Sequence, residues 1–235
     1  MQKTKRHLLS TRPLPKSLLE EAAAQGVIID ELSFIQTTPI QDEAVTNRIH
    51  ELASQEVTVV FTSMNAVEAV ARQLKTAPKW NIYSIGNTTR LLIEEKLPES
   101  KLVAAADNAE RLGVQLIDDG VRAMVFFCGN IRRDELPNKF RSEGGTVEEV
   151  IVYETIETPS PLDKEYDGIL FFSPSAVQSF FSANKISTKT HLFAIGKTTA
   201  EAIRQHQNRK IIIAGTTDKI EMAREAVSFL ANQNA

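Results

Sequence analysis

The chain has 235 residues, a formal net charge of −3 and a pI of about 5.9, so its charge gives no general attraction to nucleic acid or to an anionic membrane, and we expect neither as a partner. The single cysteine, Cys128, excludes an internal disulfide and fits a reducing compartment. No run approaches the ~20 apolar residues of a membrane span, and the basic stretch at 1–9 lacks the apolar segment of a secretory signal, so we expect a soluble cytoplasmic protein.

In chain order, the first 53 residues predict a strand, a helix, an extended segment and an amphipathic helix. Gly26 ends the first helix. The residues Thr37-Thr38-Pro39 end the extended segment, because Pro39 bars a helix across that point. The predicted bounds are 7–11, 15–25, 27–36 and 41–53, with a possible domain crossing near 36–40.

Strands alternate with helices through the rest of the chain, which predicts parallel, doubly wound sheets. A long strand at 146–155 and a linker signal at 158–161 separate two such stretches. The first stretch has strands at 57–62, 81–85, 101–105 and 122–127 and helices at 64–75, 87–96 and 107–117. The second has strands at 168–172, 190–195 and 210–214 and helices at 174–183, 197–206 and 217–231.

Two motifs recur after the same displacement of 110 residues, which indicates a duplicated structural unit. The pattern F-x-S-x-x-A-V begins at Phe61 and again at Phe171, and the pattern I-G-x-T-T begins at Ile85 and again at Ile195. We therefore expect an α/β fold of two similar doubly wound parallel-sheet domains of the flavodoxin-like type.

The second copy is short, so we expect residues 1–36 to complete it. One domain is then discontinuous, and the chain crosses between the domains twice, beside a cleft of the kind that ligands prefer. The expected parts are a discontinuous domain of 1–36 plus 156–235, an inserted domain of 40–150, and linker strands near 36–40 and 150–156.

Small polar residues follow the buried strand in each copy of the first motif. Thr62, Ser63, Ser173 and Ser175 are predicted to supply helix N-cap oxygens, and Pro174 suits a first helical turn. In an open α/β sheet such turns meet at one edge, where free amides and helix dipoles attract anions. Each residue taken alone is better explained as an ordinary cap, but the two matched pairs favour a site.

Cofactor and metal sites have no support in the sequence. Gly196-Lys197-Thr198 resembles the end of a P-loop, but that motif needs a glycine where His191 stands. There is no G-x-G-x-x-G, and the four histidines have no ligand-like spacing. We therefore expect neither a metal nor an organic cofactor.

Three further side chains have two possible interpretations. Arg132 and Arg133 either lie on a solvated loop and helix face or bind a substrate carboxylate. Tyr153, near the end of the long strand, either packs in the linker or donates a proton at a cleft wall. For the two arginines the neighbouring carboxylates favour the solvated loop and helix face, whereas for Tyr153 the sequence does not decide between the alternatives.

Seven motifs together resemble the uroporphyrinogen-III synthase family, in the order that the family shows. Residues 97–121 carry little of the resemblance. The motifs are T-R-P at 11–13, F-T-S-x-N-A-V at 61–67, I-G-N-x-T at 85–89, G-N-I-R-R-D-E-L-P at 129–137, V-Y-E-T at 152–155, F-F-S-P-S-A-V at 171–177 and A-I-G-K-T-T-A at 194–200. One departure is Arg90, which stands where the second copy has Ala200; it either points into the cleft or is a solvated helix residue.

The resemblance implies a cyclising lyase of tetrapyrrole biosynthesis that works as a monomer without a cofactor. Its substrate is hydroxymethylbilane, a linear tetrapyrrole with eight carboxylates, and its product is uroporphyrinogen III, with the last pyrrole ring inverted. Tyr153 matches the family's tyrosine and would assist, without being indispensable, the departure of the hydroxyl group. The implied substrate-binding residues are Arg12, Thr62, Ser63, Thr89, Gly129, Asn130, Ser173, Ser175, Gly196, Thr198 and Thr199.

Two other functions are compatible with the same architecture. A non-catalytic two-domain module could bind a tetrapyrrole or another polycarboxylate without turnover, and a fused regulatory or DNA-binding domain would favour it. A sugar transferase with paired Rossmann-like domains should show an acidic nucleotide-binding motif, and the sequence has none.

Overall fold

The structure is a computed structural model that describes residues 5–216 and 218–233. The chain divides into two compact units. Unit 1 contains the chain up to Gln36 and again from Ile156, and unit 2 runs from Thr37 to Thr155. That these units fold independently, as domains of 1–36 plus 156–235 and 40–150 with linker strands between them, remains a proposal.

Both units alternate strands with helices. The first part of the chain forms β1 (Arg6–Ser10), α1 (Lys16–Ala24), β2 (Val27–Glu31), β3 (Ile35–Pro39), α2 (Glu43–Ala53), β4 (Thr58–Phe61), α3 (Met64–Ala71), β5 (Asn81–Ile85), α4 (Asn87–Lys96) and β6 (Lys101–Ala106). The remainder forms α5 (Ala109–Asp118), β7 (Ala123–Gly129), α6 (Glu135–Ser142), β8 (Thr146–Glu157), β9 (Gly168–Phe171), α7 (Pro174–Ala183), β10 (His191–Ala194), α8 (Lys197–His206), β11 (Ile212–Ile213) and α9 (Lys219–Asn232).

The sheet of unit 1 has the strand order β11-β10-β9-β1-β2, and every neighbouring pair is parallel. Successive side chains of a strand point to opposite faces. Leu8 and Leu170 therefore pack on one face against α1 and α9, whereas Leu9 and Phe171 pack on the other against α7 and α8. The sheet is buried on both faces, which confirms the predicted doubly wound parallel α/β fold.

The six-stranded sheet of unit 2 has the order β3-β8-β7-β4-β5-β6, and its strands from β8 to β6 are parallel. Phe61 and Phe127 pack on one face with α2 and α3, whereas Val60 and Phe126 pack on the other with α5 and α6. Trp80 covers Phe127, with 5.6 Å between the ring centroids. The second sheet is thus also buried on both faces.

The two sheets share one spatial order but differ in where the chain starts. Unit 2 arranges its parallel strands as β6-β5-β4-β7-β8, and unit 1 arranges the equivalent strands as β11-β10-β9-β1-β2. Strand β4 thus corresponds to β9, as the duplicated motif predicts, and β7 and β8 correspond to β1 and β2. The first two strands of the chain, β1 and β2, thus occupy in unit 1 the positions that β7 and β8 occupy in unit 2.

The predicted and observed elements differ at a few points. The extended segment at 27–36 is two strands, and Pro39 is part of β3 where we expected the strand to have ended. Strand β3 is an edge strand, where the missing N–H of a proline is tolerated. Helix α6 was not predicted as an element, although its Pro137 lies in a first turn that accepts proline.

Helix α3 ends at Ala71, four residues before its predicted end at 75. The predicted start of the terminal helix, Thr217, lies outside the described residues, as do residues 1–4 of the basic amino-terminal stretch. Within the part of the chain that the structure describes, no helix has both the length and the apolar character needed to cross a bilayer.

Candidate active site

The carboxyl edge of the unit 2 sheet begins with the turn from β4 into α3. Ser63 is the N-cap residue of α3, and its hydroxyl oxygen accepts a hydrogen bond from the Asn65 backbone N–H at 3.2 Å. Thr62 is half-buried between the strand and the cap, so the prediction that it also caps the helix is wrong. Only the residue immediately before the first helical turn has the extended backbone that lets a side chain reach back to that turn.

The hydroxyl group of Tyr153 reaches this helix terminus. Tyr153 lies on β8 with 8% of its surface exposed, and its phenol donates a hydrogen bond to Ser63 Oγ at 3.2 Å. Ser63 Oγ therefore accepts two hydrogen bonds, and its own hydroxyl hydrogen remains available to a ligand. The structure thus joins the predicted catalytic tyrosine to one of the predicted substrate-binding residues.

Gly129 makes room for the tyrosine ring. It ends β7 directly beside Tyr153, at a point where the register shifts by a bulge after Cys128. A Cβ atom on Gly129 would lie 2.5 Å from ring atoms Cε2 and Cζ of Tyr153, closer than such contacts are found. The glycine predicted to bind substrate is therefore required, in the first place, by the position of the phenol.

Asn130 fixes the main chain of β8 on either side of this ring. Its backbone N–H donates to Tyr153 O at 3.1 Å, and its side-chain Oδ1 accepts from Thr155 N at 2.8 Å. The same oxygen accepts from Ile131 N at 2.8 Å, and Nδ2 donates to Thr155 O at 3.3 Å. The oxygen and the nitrogen of the Asn130 side-chain amide both form hydrogen bonds with main-chain atoms. That Asn130 also contacts the substrate stays a prediction.

The environment keeps the phenol neutral. Burial raises the pKa of Tyr153, an effect that its hydrogen bond with Ser63 only partly offsets. Burial also raises the pKa of the neighbouring Cys128 thiol, to about 11. At physiological pH both groups are protonated, and Tyr153 is a hydrogen-bond and proton donor.

All three tyrosines of the chain have pKa values above the ordinary value of about 10 in the folded protein. Burial is the largest cause in each case, and a hydrogen bond of 2.8 Å from Tyr83 to Asp119 Oδ2 helps to raise the pKa of Tyr83 to about 12. The stabilisation of the neutral form is fully present below about pH 10 and is lost as the pH rises through the folded-state values.

We therefore expect the native protein at pH 10 to show far less tyrosinate absorbance than the urea-unfolded chain, in which about half of the tyrosines ionise. An ultraviolet titration of both states measures this difference. Equal absorbance in the two states at pH 10 would contradict the buried placement of these phenols.

The second helix terminus of unit 2 is that of α4. Gly86 precedes it with a φ of +85°, a conformation that favours glycine, and no side chain caps the helix. Thr89, predicted to bind substrate, is the third residue of the helix and is buried. Arg90 lies along its own helix, bonded to Asn87 and Glu94, which supports its interpretation as a solvated helix residue.

In unit 1, Ser173 caps α7 by accepting a hydrogen bond from Ala176 N at 3.2 Å, and Pro174 occupies the first helical position. Ser175 is already inside the first turn, so the prediction that it caps the helix is wrong. Gly196 precedes α8 with an extended φ of −177°, and a Cβ atom there would meet nothing within 4 Å. Neither backbone nor packing requires a glycine at this position.

The other predicted residues of this edge lie on α8 and after β1. Thr198 is half-buried and Thr199 is buried, in the first turn of α8. Arg12 follows β1, where the Thr11 hydroxyl donates to Leu170 O at 2.8 Å and the Ser10 hydroxyl donates to Arg12 O at 2.6 Å. The Arg12 guanidinium lies 5.8 Å from the centroid of the Phe172 ring, and burial lowers its pKa.

The two arginines after β7, Arg132 and Arg133, have surroundings that differ from those of Arg12. Arg132 forms an ion pair with Glu149, whose carboxylate also pairs with Arg141 at 2.6 Å. The charge of Arg132 is thus compensated within unit 2, which favours its interpretation as part of a solvated loop. Arg133 is exposed. Across residues 5–216 and 218–233, no group of histidine, cysteine and carboxylate side chains is arranged to hold a metal ion.

One cation at the edge of unit 1, Lys219, belongs to none of the motifs described above. Lys219 is the first residue of α9, directly after the N-cap residue Asp218. The signal that could have identified it is a lysine following a capping aspartate, because a cation is disfavoured at a helix N-terminus.

Comparisons with known proteins identify the family of this chain. A family model described as uroporphyrinogen-III synthase HemD matches residues 16–222. A uroporphyrinogen-III synthase of Chlorobaculum parvum is 28% identical over 178 residues, which are 63% of this chain and 69% of that protein.

Crystal structures show the same fold. The uroporphyrinogen-III synthetase of Helicobacter pylori aligns with a TM-score of 0.69 at 18% identity, over 96% of this chain and 99% of that one. A mutant uroporphyrinogen III synthase of Thermus thermophilus aligns with a TM-score of 0.68 at 15% identity, over 98% of this chain and 100% of that one. Because the family model spans most of the sequence, the resemblance carried by the seven motifs is confirmed: the chain belongs to the uroporphyrinogen-III synthase family.

Proposed function

We propose that this chain cyclises hydroxymethylbilane to uroporphyrinogen III, with inversion of the terminal pyrrole ring and loss of water. The observation that carries the proposal is the neutral phenol of Tyr153, seated over Gly129 and bonded to the N-cap serine of α3, in a chain of this family. The enzyme is thus a cyclising lyase of tetrapyrrole biosynthesis.

The proposed reaction begins at the hydroxymethyl group. A proton from the phenol of Tyr153, or from Ser63 with the phenol behind it, accompanies the departing hydroxyl group, which leaves as water. The remaining azafulvene is attacked by the substituted carbon of the terminal pyrrole, and the resulting spiro intermediate fragments and closes again at the other carbon. Loss of a ring proton then completes the product and can restore the donor.

The main requirement on the protein is to hold a flexible chain in one geometry, because the bilane closes unaided to the isomer without inversion. We propose that backbone amides and hydroxyls at the N-termini of α3, α4, α7 and α8 bind its carboxylates. Unit 2 would contribute Thr62, Ser63, Thr89, Gly129 and Asn130, and unit 1 would contribute Arg12, Ser173, Ser175, Gly196, Thr198 and Thr199. The fold does not require a glycine at position 196, and this supports the assignment. The missing side chain lets a ligand approach the N-terminus of α8.

We propose further that the protein acts as a monomer in the cytoplasm, on a small molecule and without a nucleic-acid or membrane partner. The near-balanced charge and the single buried cysteine support this setting. No step above needs a metal or an organic cofactor.

The experiment that tests the function generates hydroxymethylbilane in place, adds the protein, oxidises the products and separates the type I and type III isomers by chromatography. We expect type III to dominate. If a demonstrably folded protein gives only type I, at the spontaneous rate, the synthase proposal fails and a non-catalytic tetrapyrrole-binding module becomes the better account.

A further inference from the structure

We propose that Lys219 and Arg12 form a two-cation clamp for the pair of carboxylates on one pyrrole ring of the substrate, an inference that rests on the proposed function. Eight carboxylates on four pyrrole rings place two on each ring. A guanidinium and an ammonium at one edge of the sheet match such a pair in charge and in number of donors.

The fold brings the two side chains to one edge of unit 1. Arg12 follows the carboxyl end of β1, and Lys219 begins α9, which packs on the face of the sheet that carries Leu8 and Leu170. The two cations are near enough for the charge of Arg12 to lower the pKa of Lys219. Both side chains are half-buried at the edge that also presents the N-terminus of α7.

Three effects act against a charged lysine at this position. Burial is the largest cause that lowers the pKa of Lys219, and the charge of Arg12 lowers it further. The first turn of a helix also carries a partial positive charge, which disfavours a cation at the first helical position. The lysine is therefore unfavourable for the fold that contains it.

The carboxylates that are closest to Lys219 in sequence have other partners. Asp218 accepts hydrogen bonds from Ile220 N at 2.8 Å and Glu221 N at 3.0 Å, and its charge offsets only part of the effect on Lys219. Glu221 pairs with Arg224 at 2.6 Å. Among residues 5–216 and 218–233, no ion pair joins a carboxylate to either Arg12 or Lys219, so the clamp is open to an anion from outside.

The second unit shows that the fold does not need this lysine. Helix α5 is the counterpart of α9 in the shared strand order, and it begins with Ala109 after the N-cap residue Asn108. The first residue of the equivalent helix is thus uncharged. A lysine at the first position of α9 is therefore not a requirement of the shared architecture, which supports a role in binding a ligand.

The test replaces Lys219 by Gln, which keeps most of the aliphatic stem and removes the charge. We expect the KM for hydroxymethylbilane and the inhibition constant of uroporphyrinogen III to rise about tenfold, as for one lost charge-assisted hydrogen bond, with kcat within about twofold. The melting temperature should stay equal or rise by about 1–3 °C, because an unfavourable charge has been removed from the helix N-terminus. Lys219→Arg should keep both constants within about threefold of the original values.

Lys189→Gln is the matched control, since Lys189 is an exposed residue of the same unit that precedes β10, at the opposite edge of the sheet. We expect it to change neither constant. Unchanged constants in Lys219→Gln, beside an original enzyme that makes type III, overturn the clamp and leave the function standing. A lower melting temperature also overturns it, because the lysine would then serve the fold, whereas only type I from the original enzyme removes the function and the clamp together.

Discussion

Replacing Tyr153 by Phe is expected to lower kcat by about 10- to 100-fold while KM stays within about twofold. The change removes one oxygen, and with it the 3.2 Å hydrogen bond to Ser63 and the proton that accompanies the departing hydroxyl group. The expected loss lies at the low end for a general acid, because the substrate can lose its hydroxyl group without help. Initial rates of type III formation over a range of bilane concentrations measure both constants.

Tyr83→Phe is the matched control. Tyr83 is also buried in unit 2, and its hydroxyl donates to Asp119 Oδ2 at 2.8 Å, away from the α3 terminus. Its replacement should cost about 0.5–1.5 kcal/mol of stability and leave turnover unchanged. If Tyr153→Phe keeps the original kcat, or if both variants lose turnover equally, Tyr153 has no catalytic role and its burial is structural.

Replacing Gly129 by Ala is expected to reduce turnover at least as strongly and to destabilise the protein by about 1–3 kcal/mol. The added methyl group would lie 2.5 Å from two ring carbons and 2.9 Å from the hydroxyl oxygen of Tyr153, so the ring must leave its place above the glycine. The phenol then loses its alignment with Ser63. Because one group mediates both effects, Gly129→Ala combined with Tyr153→Phe should lose little more turnover than the more severe single variant.

Gly113 provides the control for a glycine-to-alanine change in the same unit. It lies inside α5, where a Cβ atom would meet the flexible Lys139 side chain at 3.0 Å and, at the ordinary contact distance of 3.5 Å, Leu136 Cδ1. Gly113→Ala should be neutral or stabilise the helix by up to about 1 kcal/mol, with unaltered turnover. Chemical denaturation and the isomer assay report the two quantities, and full activity in Gly129→Ala would show that the ring position does not matter.

The fold could be predicted because local signals agreed with the global arrangement. The apolar strands ending at Phe61 and Phe171 gave each copy its central strand, and the bounds of α4, α7 and α8 were predicted to the residue. Pro39 was misjudged because proline excludes a helix and a central strand but not an edge strand, and edge position is a property of the whole sheet.

The candidate site was predicted less completely. Ser63 and Ser173 were recognised as caps from the residues that follow them, whereas Thr62 and Ser175 are neighbours of a cap and share only its chemistry. The contact between Tyr153 and Ser63 joins residues 90 positions apart and depends on the bulge after Cys128, which no local pattern encodes. The compensation of Arg132 by Glu149 depends in the same way on how β8 pairs with β7.

In unit 1 the first strand of the chain pairs with a strand that follows unit 2, and this order has a consequence for how the protein folds during synthesis. Strand β1 pairs with β9, which brings together Leu8 and Gly168 across the whole of unit 2. Within unit 2, Ile40 N already donates to Val152 O at 2.9 Å, so folding of that unit first would close most of the intervening loop. The saving in closure entropy is about 1 kcal/mol. On the ribosome, β1 can pair with β2 at once but must wait for β9 until unit 2 has been synthesised. If unit 2 folds first, it would keep the two segments of unit 1 close together.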